Sequence, residues 1–266
     1  MARSGVQLCM PATPALVAGL LARSGGVALA QPKLNGLHVK WDGRRLVTSE
    51  GNPAGGLPHV AAALAERLPG MPLEGEAYCH GMPLDVIRAV VCRESSLHPA
   101  HLQVNLHVFD LVARDDQAAR LARLARLVPS AAPLFAVPVH PVHSPAEVDQ
   151  LLGLYRADGY EGLVIRARHG QWQPGKHADC LKLKPGSTDS YLIVRVIGVE
   201  GQVRALELQD SDGRRFRVGS WAVPAAERAR LWGVRGDLPG RACTVRYYDL
   251  TARGVPAGAV YLGMEG

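Results

Sequence analysis

The chain has 266 residues, of which 47% are hydrophobic and 20% are charged, and its formal net charge is +6. This composition supports a buried core, and the moderate charge excludes an arginine-rich tail. No apolar stretch is long enough to cross a bilayer, and the five cysteines include no closely spaced pair of the kind that binds zinc. A moderately basic surface is compatible with a polyanionic partner.

The hydrophobic periodicity of the first two thirds of the chain predicts alternating strands and helices. Helices are expected at 14–23, 60–68, 84–93, 115–128 and 145–156, and strands at 27–30, 37–41, 73–78, 106–112, 163–166 and 181–184. Asp42-Gly43 predicts a hairpin turn. Ser144-Pro145-Ala146-Glu147 predicts a capping box with proline at the first helical position.

The character of the sequence changes near residue 186. The remainder contains no lysine and is predicted to form short strands at 191–199, 203–208, 216–218 and 244–248, with one helix at 224–232. Many short strands with a single helix are typical of a small barrel such as an OB-fold. We therefore predict an α+β chain with two domains, at 1–186 and 187–266.

The N-terminal segment carries a weak resemblance to an export signal. Residues 14–21 are apolar and Ala28-Leu29-Ala30 resembles a cleavage site, but the positive region that should precede them is weak. Cleavage after Ala30 would also strip the strand expected to hold Lys33, which would then be the third residue of the new chain. With an odd number of widely spaced cysteines, this favours a cytoplasmic location.

Lysine is rare in this chain and is concentrated in two short motifs. Only five of the 30 basic residues are lysines, and three of these lie in Lys33-Leu34-Asn35-Gly36 and Leu181-Lys182-Leu183-Lys184. Arginine stays protonated and cannot act as a nucleophile, whereas lysine can in a site that lowers its pKa. The bias predicts amine chemistry at Lys33 and phosphate binding by Lys182 and Lys184, which would share one face of a strand.

Further motifs follow the first one in a fixed order. They are Leu73-Glu74-Gly75-Glu76, Val108-Phe109-Asp110-Leu111, Glu161-Gly162-Leu163-Val164-Ile165-Arg166 and finally the double-lysine motif. Each is weak alone, but the ordered set resembles the covalent nucleotidyltransferase superfamily, and within it the minimal ATP-dependent DNA ligases of bacteria and phages. The resemblance covers most of residues 27–186 and, more loosely, the C-terminal barrel. It implies a nucleotidyltransferase (adenylation) domain of antiparallel sheets and helices, followed by an OB-fold.

The resemblance also implies roles for individual residues. Lys33 would attack the α-phosphorus of ATP to form lysyl-AMP, once nearby cations have lowered its pKa, and Gly36 would permit close approach of the backbone to the nucleotide. Glu76 and Glu161 would hold Mg²⁺, which prefers oxygen ligands. Phe109 would stack on adenine. Further nucleotide contacts are expected from Gln31, Asn35, His38, Lys182 and Lys184.

Three positions depart from the usual ligase pattern. Asn35 stands where the family has aspartate, and His38 stands where it has arginine. Thr48-Ser49-Glu50-Gly51 lacks the arginine expected to contact nucleic-acid phosphate, for which Arg44 or Arg45 could substitute.

The predicted activity is nick sealing in duplex DNA by a monomeric enzyme. AMP would pass from the lysine to a 5′-phosphate, and a 3′-hydroxyl would then displace it. Residues 185–266 contain eleven arginines and nine acidic residues, and the arginines could contact the duplex backbone. Three alternatives stay open: an RNA ligase of the same superfamily, a less favoured capping guanylyltransferase, and a nucleic-acid-binding relative that has lost catalysis. The sequence does not distinguish replication from repair.

Overall fold

The computed structural model describes residues 5–93, 95–128, 130–184, 186–199, 201–247, 249–251 and 253–265. These residues form two compact units. One contains the described residues up to Met10 together with Ala15–Leu183, and the other contains Pro11–Pro14 and the described residues from Lys184 onward. The domain boundary near residue 186 stays a prediction, and Pro185 lies outside the described residues.

The first unit is built on two five-stranded sheets. Its strands are β1 (Gln7–Pro11), β2 (Ala28–Lys33), β3 (Leu37–Trp41), β4 (Leu46–Thr48), β5 (Leu73–Tyr78), β6 (Asn105–Leu111), β7 (Leu134–Ala136), β8 (His140–Val142), β9 (Gly162–Ala167) and β10 (Gly175–Leu183). The helices are α1 (Pro14–Arg23), α2 (Pro58–Arg67), α3 (Leu84–Val91), α4 (Gln117–Leu127) and α5 (Pro145–Ala157). The strand orders are β1-β10-β9-β2-β8 and β4-β3-β5-β6-β7.

The predicted turn between β3 and β4 forms as expected. The carboxylate of Asp42 accepts hydrogen bonds from the backbone N–H groups of Arg44 and Arg45, at 2.8 and 2.7 Å. Gly43 has a φ of 98°, which side chains with a Cβ rarely adopt. The aspartate and glycine therefore fix the hairpin, and Arg44 and Arg45 are exposed at its tip.

Two helices begin with side-chain caps. The hydroxyl of Ser144 accepts a hydrogen bond from Glu147 N at 3.2 Å at the start of α5. The Glu147 carboxylate in turn accepts a hydrogen bond from His143 N at 3.0 Å. In the usual capping box it would accept from the N–H of the capping residue itself, which is Ser144, the next residue. Asp116 caps α4 by accepting from Ala119 N at 2.8 Å. These contacts satisfy N–H groups that the first turn of a helix leaves unpaired.

Strand register brings distant residues to one face of the first sheet. β2 pairs antiparallel with β9, so that Gln31 lies opposite Val164 and Lys33 lies opposite Gly162. On the other edge of β9, Lys182 of β10 also lies opposite Val164. Directly opposed residues project to the same face of a sheet. Gln31, Lys33 and Lys182 are therefore displayed together.

The second sheet buries one face in the main hydrophobic core. Alternation along β3 sends Val39 and Trp41 inward, where they are 0% and 1% exposed. His38 projects to the other face and lies directly opposite Glu76 on β5. The half-buried His38 and Glu76 therefore lie on the side away from the core.

The second unit is a small β-rich fold. Its strands are β11 (Ser187–Val199), β12 (Gln202–Gln209), β13 (Arg215–Val218), β14 (Ser220–Trp221), β15 (Ala242–Tyr247), β16 (Asp249–Leu250), β17 (Pro256–Ala257) and β18 (Val260–Met264). Its described residues also form one α-helix, α6 (Ala225–Gly233), and a short 3-10 helix at Arg235–Asp237. A six-stranded sheet has the order β13-β12-β11-β15-β18-β14. Its core contains Ile193, Leu206 and Val245.

Several strands differ from the sequence-based expectation. Seven short strands were not predicted, because none is long or clearly alternating: β1, β7, β8, β14, β16, β17 and β18. β2 extends to Lys33, three residues beyond the predicted end of its strand. β10 begins at Gly175 and ends at Leu183, one residue before the predicted end, so Lys184 follows the strand. The predicted end of the 244–248 strand, Tyr248, lies outside the described residues. Among the residues described, no helix combines the length and apolar character needed to cross a membrane.

Candidate active site

A cavity of about 450 Å³ lies in the first unit and is lined by residues of both sheets. Its volume lies within the range of small-molecule sites, roughly 300–1,000 Å³. Six of the predicted site residues line it: Gln31, Lys33, His38, Glu76, Phe109 and Lys182. The other lining residues are Gln7, Leu8, Cys9, Pro32, Leu34, Val137, Val164, Arg166 and Lys176.

Lys33 is the last residue of β2 and forms an ion pair with Glu161. Its Nζ donates a short hydrogen bond to Glu161 Oε2, and the two side chains are 21% and 22% exposed. The backbone N–H of Glu161 donates to the carbonyl of Lys33 at 3.0 Å. Glu161 directly precedes β9, so the pairing of β2 with β9 holds the carboxylate beside the amine.

Glu76 lies on β5 with an unusual protonation equilibrium. Burial raises the pKa of its carboxyl from 4.5 to about 7, and repulsion from Glu161 adds to this, although His38, Lys33 and the Gly36 N–H act in the opposite direction. Two carboxylates that repel each other beside a cavity are suited to a divalent cation, because the cation favours the charged form of both.

Gly36 allows the chain after β2 to pass close to β5. A Cβ on this residue would lie 2.4 Å from the Ala77 carbonyl oxygen and 2.7 Å from Glu76 Cγ. A larger residue would therefore displace the strand that carries Glu76. We predicted close approach to a nucleotide at this position, whereas the contact in the structure is with the neighbouring strand. Asn35, the adjacent residue, is exposed and is not among the residues that line the cavity.

A buried polar network supports one end of the cavity. Gln31, 2% exposed, donates from Nε2 to the Phe109 carbonyl at 3.1 Å and accepts from Arg166 Nε at 3.2 Å. Arg166 donates a further short hydrogen bond to Gln7 Oε1, and its guanidinium lies 5.3 Å from the centre of the Phe109 ring. A nucleotide contact was predicted for Gln31. Its oxygen already accepts from Arg166, which leaves one lone pair for a ligand.

Glu74 joins three parts of the first unit from a fully buried position. Its carboxylate accepts hydrogen bonds from Gln7 N at 3.1 and 3.3 Å, from Trp172 Nε1 at 3.1 Å and from His38 Nε2 at 3.1 Å. The edge of the His38 ring also contacts Phe109, at 5.2 Å between ring centres. Glu74 therefore orients the histidine that stands where the family has arginine.

The structure adds four residues to the predicted set. Gln7 and Cys9 belong to β1, which was not predicted as a strand. Arg166 and Lys176 could have been inferred, because Arg166 ends the Glu161-Gly162-Leu163-Val164-Ile165-Arg166 motif and Lys176 is one of only five lysines. Lys184, in contrast, belongs to the second compact unit and does not line the cavity.

The sequence was compared with models of known protein families. The model of the ATP-dependent DNA ligase domain matches residues 26–184, more than half of the chain. The chain belongs to the ATP-dependent DNA ligase family. Members of this family use ATP and join DNA through a lysyl-AMP intermediate. A search of curated protein sequences found no match.

Solved structures of DNA ligases share the fold of this ligase. It aligns with a Lig E DNA ligase at 19% identity and a TM-score of 0.57, over 98% of this chain and 99% of that one. It aligns with Chlorella virus DNA ligase-adenylate at 19% identity and a TM-score of 0.55, over 100% and 99%. It aligns with the ATP-dependent DNA ligase from bacteriophage T7 in complex with ATP at 15% identity and a TM-score of 0.59, over 98% of each chain. The predicted fold, a nucleotidyltransferase domain followed by an OB-fold, is confirmed.

Proposed function

We propose that Lys33 is the nucleophile that takes AMP from ATP in this ligase. The observation that carries the proposal is the ion pair between Lys33 and Glu161 at the edge of the cavity. The amine must lose a proton before it attacks the α-phosphorus, and the hydrogen-bonded Glu161 carboxylate can accept that proton. The nitrogen then forms a bond to phosphorus, and pyrophosphate leaves.

Glu76 and Glu161 are proposed to hold Mg²⁺. Mg²⁺ is commonly bound by one or two carboxylates together with substrate phosphates and water, which fits the two acidic side chains beside this cavity. The raised pKa of Glu76 supports this pairing, because repulsion from Glu161 contributes to it. When bound, the metal neutralises charge on the phosphates.

The remaining cavity residues are assigned by charge and shape. Lys182 and Lys176 are proposed to contact the phosphates, as cations that stabilise charge on the departing pyrophosphate. One face of the Phe109 ring packs against Arg166, and the other face is proposed to stack on adenine. His38, fixed by Glu74, is a further candidate for a nucleotide contact, and Gln31 retains one acceptor position. Asn35 and Lys184 stay predictions from the family pattern.

Nicked duplex DNA is the proposed substrate, and arginines of the second unit are proposed to contact its backbone. Arg215 and Arg217 are exposed on β13 and alternate with the buried Phe216 and Val218. Both guanidinium groups therefore project from one face of the strand. Arg214 is already paired with acidic side chains of its turn, at 2.7 and 2.5 Å. Backbone contacts of this kind give affinity without sequence preference.

We also propose that the ligase acts as a monomer in the cytoplasm. Glu76 and the lysines that line the cavity, together with Glu161 beside Lys33, come from one chain, which supports a monomer. The location follows from the sequence pattern of widely spaced cysteines.

The proposal is tested by incubating the protein with Mg²⁺ and ATP labelled at the α-phosphate. We expect an acid-labile covalent label on the protein, and its loss in Lys33→Arg. Lys40→Arg is the matched control, because Lys40 is a strand lysine outside the cavity lining. We expect Lys182→Ala to lower the adenylation rate by about 100-fold, the usual effect of removing one such stabilising group. A label that persists in Lys33→Arg would place the nucleophile elsewhere.

Joining assays then address the substrate. The adenylated enzyme is given nicked duplex DNA or nicked duplex RNA of the same sequence at equal concentration, and the rates of sealing are compared. Faster sealing of the DNA nick is expected. Faster sealing of the RNA nick would favour the RNA-ligase alternative, and adenylation without sealing of either would favour an impaired relative.

A further inference from the structure

Two cysteines far apart in sequence meet in the wall of the cavity. Cys9 lies on β1 and Cys180 on β10, and these strands are neighbours in the first sheet. Their Sγ atoms are 2.9 Å apart. A disulfide bond requires about 2.05 Å between sulfurs, so the two side chains need to approach by less than about 1 Å. Both are thiols in this structure.

The two sulfurs differ in access. Cys9 is partly exposed and lines the cavity, so a small reagent can reach it. Cys180 is 1% exposed and lies behind it. An accessible cysteine backed by a buried one within contact distance is the arrangement in which an attacked first sulfur is resolved by the second.

The charges around the pair favour reaction at the accessible sulfur. The hydrogen bond with Cys180 lowers the pKa of the Cys9 thiol, burial raises it, and the positive charges of Arg166 and Lys33 lower it further. The shared hydrogen bond and burial raise the pKa of Cys180. These neighbours favour the thiolate form of Cys9 over that of Cys180, and the thiolate is the reactive form of cysteine.

We propose that Cys9 and Cys180 form a reversible disulfide in the wall of the nucleotide cavity, through exchange with a low-molecular-weight disulfide. The Cys9 thiolate attacks one sulfur of the small disulfide, which forms a mixed disulfide and releases one small thiolate. Cys180 then gives its proton to solvent, and its sulfur attacks Cys9 Sγ and expels the second small thiolate. Two protein thiols are oxidised, and one small disulfide is reduced to two thiols. The inference does not depend on which residue accepts AMP.

The experiment uses the full chain equilibrated with glutathione buffers of increasing glutathione disulfide content. Remaining thiols are alkylated, and the protein is digested with trypsin without reductant. Cys9 and Cys180 fall in separate tryptic peptides, 4–23 and 177–182. We expect a cross-linked pair of these peptides, lighter than the two reduced peptides by two hydrogens. The controlling quantity of the buffer is the concentration of glutathione disulfide divided by the square of the concentration of reduced glutathione. For each tenfold rise in this quantity, the ratio of oxidised to reduced protein should also rise tenfold.

Cysteine variants establish which two residues form the cross-link. Cys9→Ser and Cys180→Ala should each abolish the cross-linked pair, whereas Cys92→Ser, which alters an exposed cysteine, should leave its yield unchanged within about twofold. The wild-type peptide map does not depend on the folding of any variant. Persistent alkylation of both peptides in excess glutathione disulfide would overturn the proposal. So would a mixed glutathione adduct at Cys9 that Cys180 does not resolve.

Discussion

Replacing Glu76 with glutamine should stabilise the ligase at high pH and not at low pH. The carboxyl of Glu76 has a pKa of about 7 in the folded protein because burial disfavours its charged form, whereas its ordinary value is 4.5. Below pH 4 the group is protonated in both the folded and the unfolded chain. As the pH rises toward 7, the unfolded chain loses this proton first, so folding stability falls.

The size of the effect follows from the two pKa values. An increase from 4.5 to about 7 corresponds to about 3 kcal/mol of stability that is present below pH 4.5 and lost once the pH exceeds 7. Glutamine has nearly the same shape as the protonated acid and does not ionise. The variant should therefore be more stable than the wild type by about 3 kcal/mol at pH 8.5, and by less than about 1 kcal/mol at pH 5.

Urea denaturation at pH 5 and pH 8.5, with a chelator present to exclude divalent cations, measures this difference. Glu66→Gln serves as the matched control, because Glu66 is an exposed glutamate on α2. Its free energy of unfolding should differ from the wild type by no more than about 0.5 kcal/mol at either pH. If Glu76→Gln raised the free energy of unfolding equally at pH 5 and pH 8.5, burial of the charged carboxylate would not be the cause of the stabilisation.

Three further outcomes are expected. Phe109→Ala should weaken ATP binding about fivefold or more in calorimetric titration, because stacking on an aromatic ring contributes about 1–3 kcal/mol; a change under twofold would contradict adenine stacking there. Arg120→Met should lower the free energy of unfolding by about 3–5 kcal/mol, since it removes the closer of the two arginines that pair with the buried Asp110 carboxylate and leaves only Arg166, at 3.7 Å, while the exposed Arg123→Met should cost under about 0.5 kcal/mol. Closing the 171-residue loop between Cys9 and Cys180 should stabilise the oxidised protein by up to about 5 kcal/mol, and equal melting temperatures in both redox states would refute this.

Much of the first unit could be predicted because its strands and helices carry strong local patterns. The hydrophobic patterns of residues 37–41 and 73–78 predicted β3 and β5 with their observed bounds, and that of residues 14–23 predicted α1 with its observed bounds. The glycine of the Asp42-Gly43 turn needed a positive φ, which the residue type indicates directly.

Other contacts could not be predicted, because they depend on pairing between distant segments. β1 is short and irregular in sequence, and it lies in the sheet beside β10, while its Gln7 N–H is bonded to buried Glu74. The contacts of Gln31 with Arg166 and Phe109 join residues separated by 135 and 78 positions. Gly36 showed only that a close approach was required, and the structure identified the Ala77 carbonyl as the neighbour.

The sequence by itself determined which chemical groups this ligase holds and in what order: an amine at Lys33, carboxylates at Glu76 and Glu161, and an aromatic ring at Phe109. Only the tertiary structure decided which of them meet, that Glu161 pairs with Lys33, and that Cys9 contacts Cys180. The chemistry and periodicity of a short segment are properties of its own residues. Burial and long-range contact depend instead on strand order and register, which no single segment specifies.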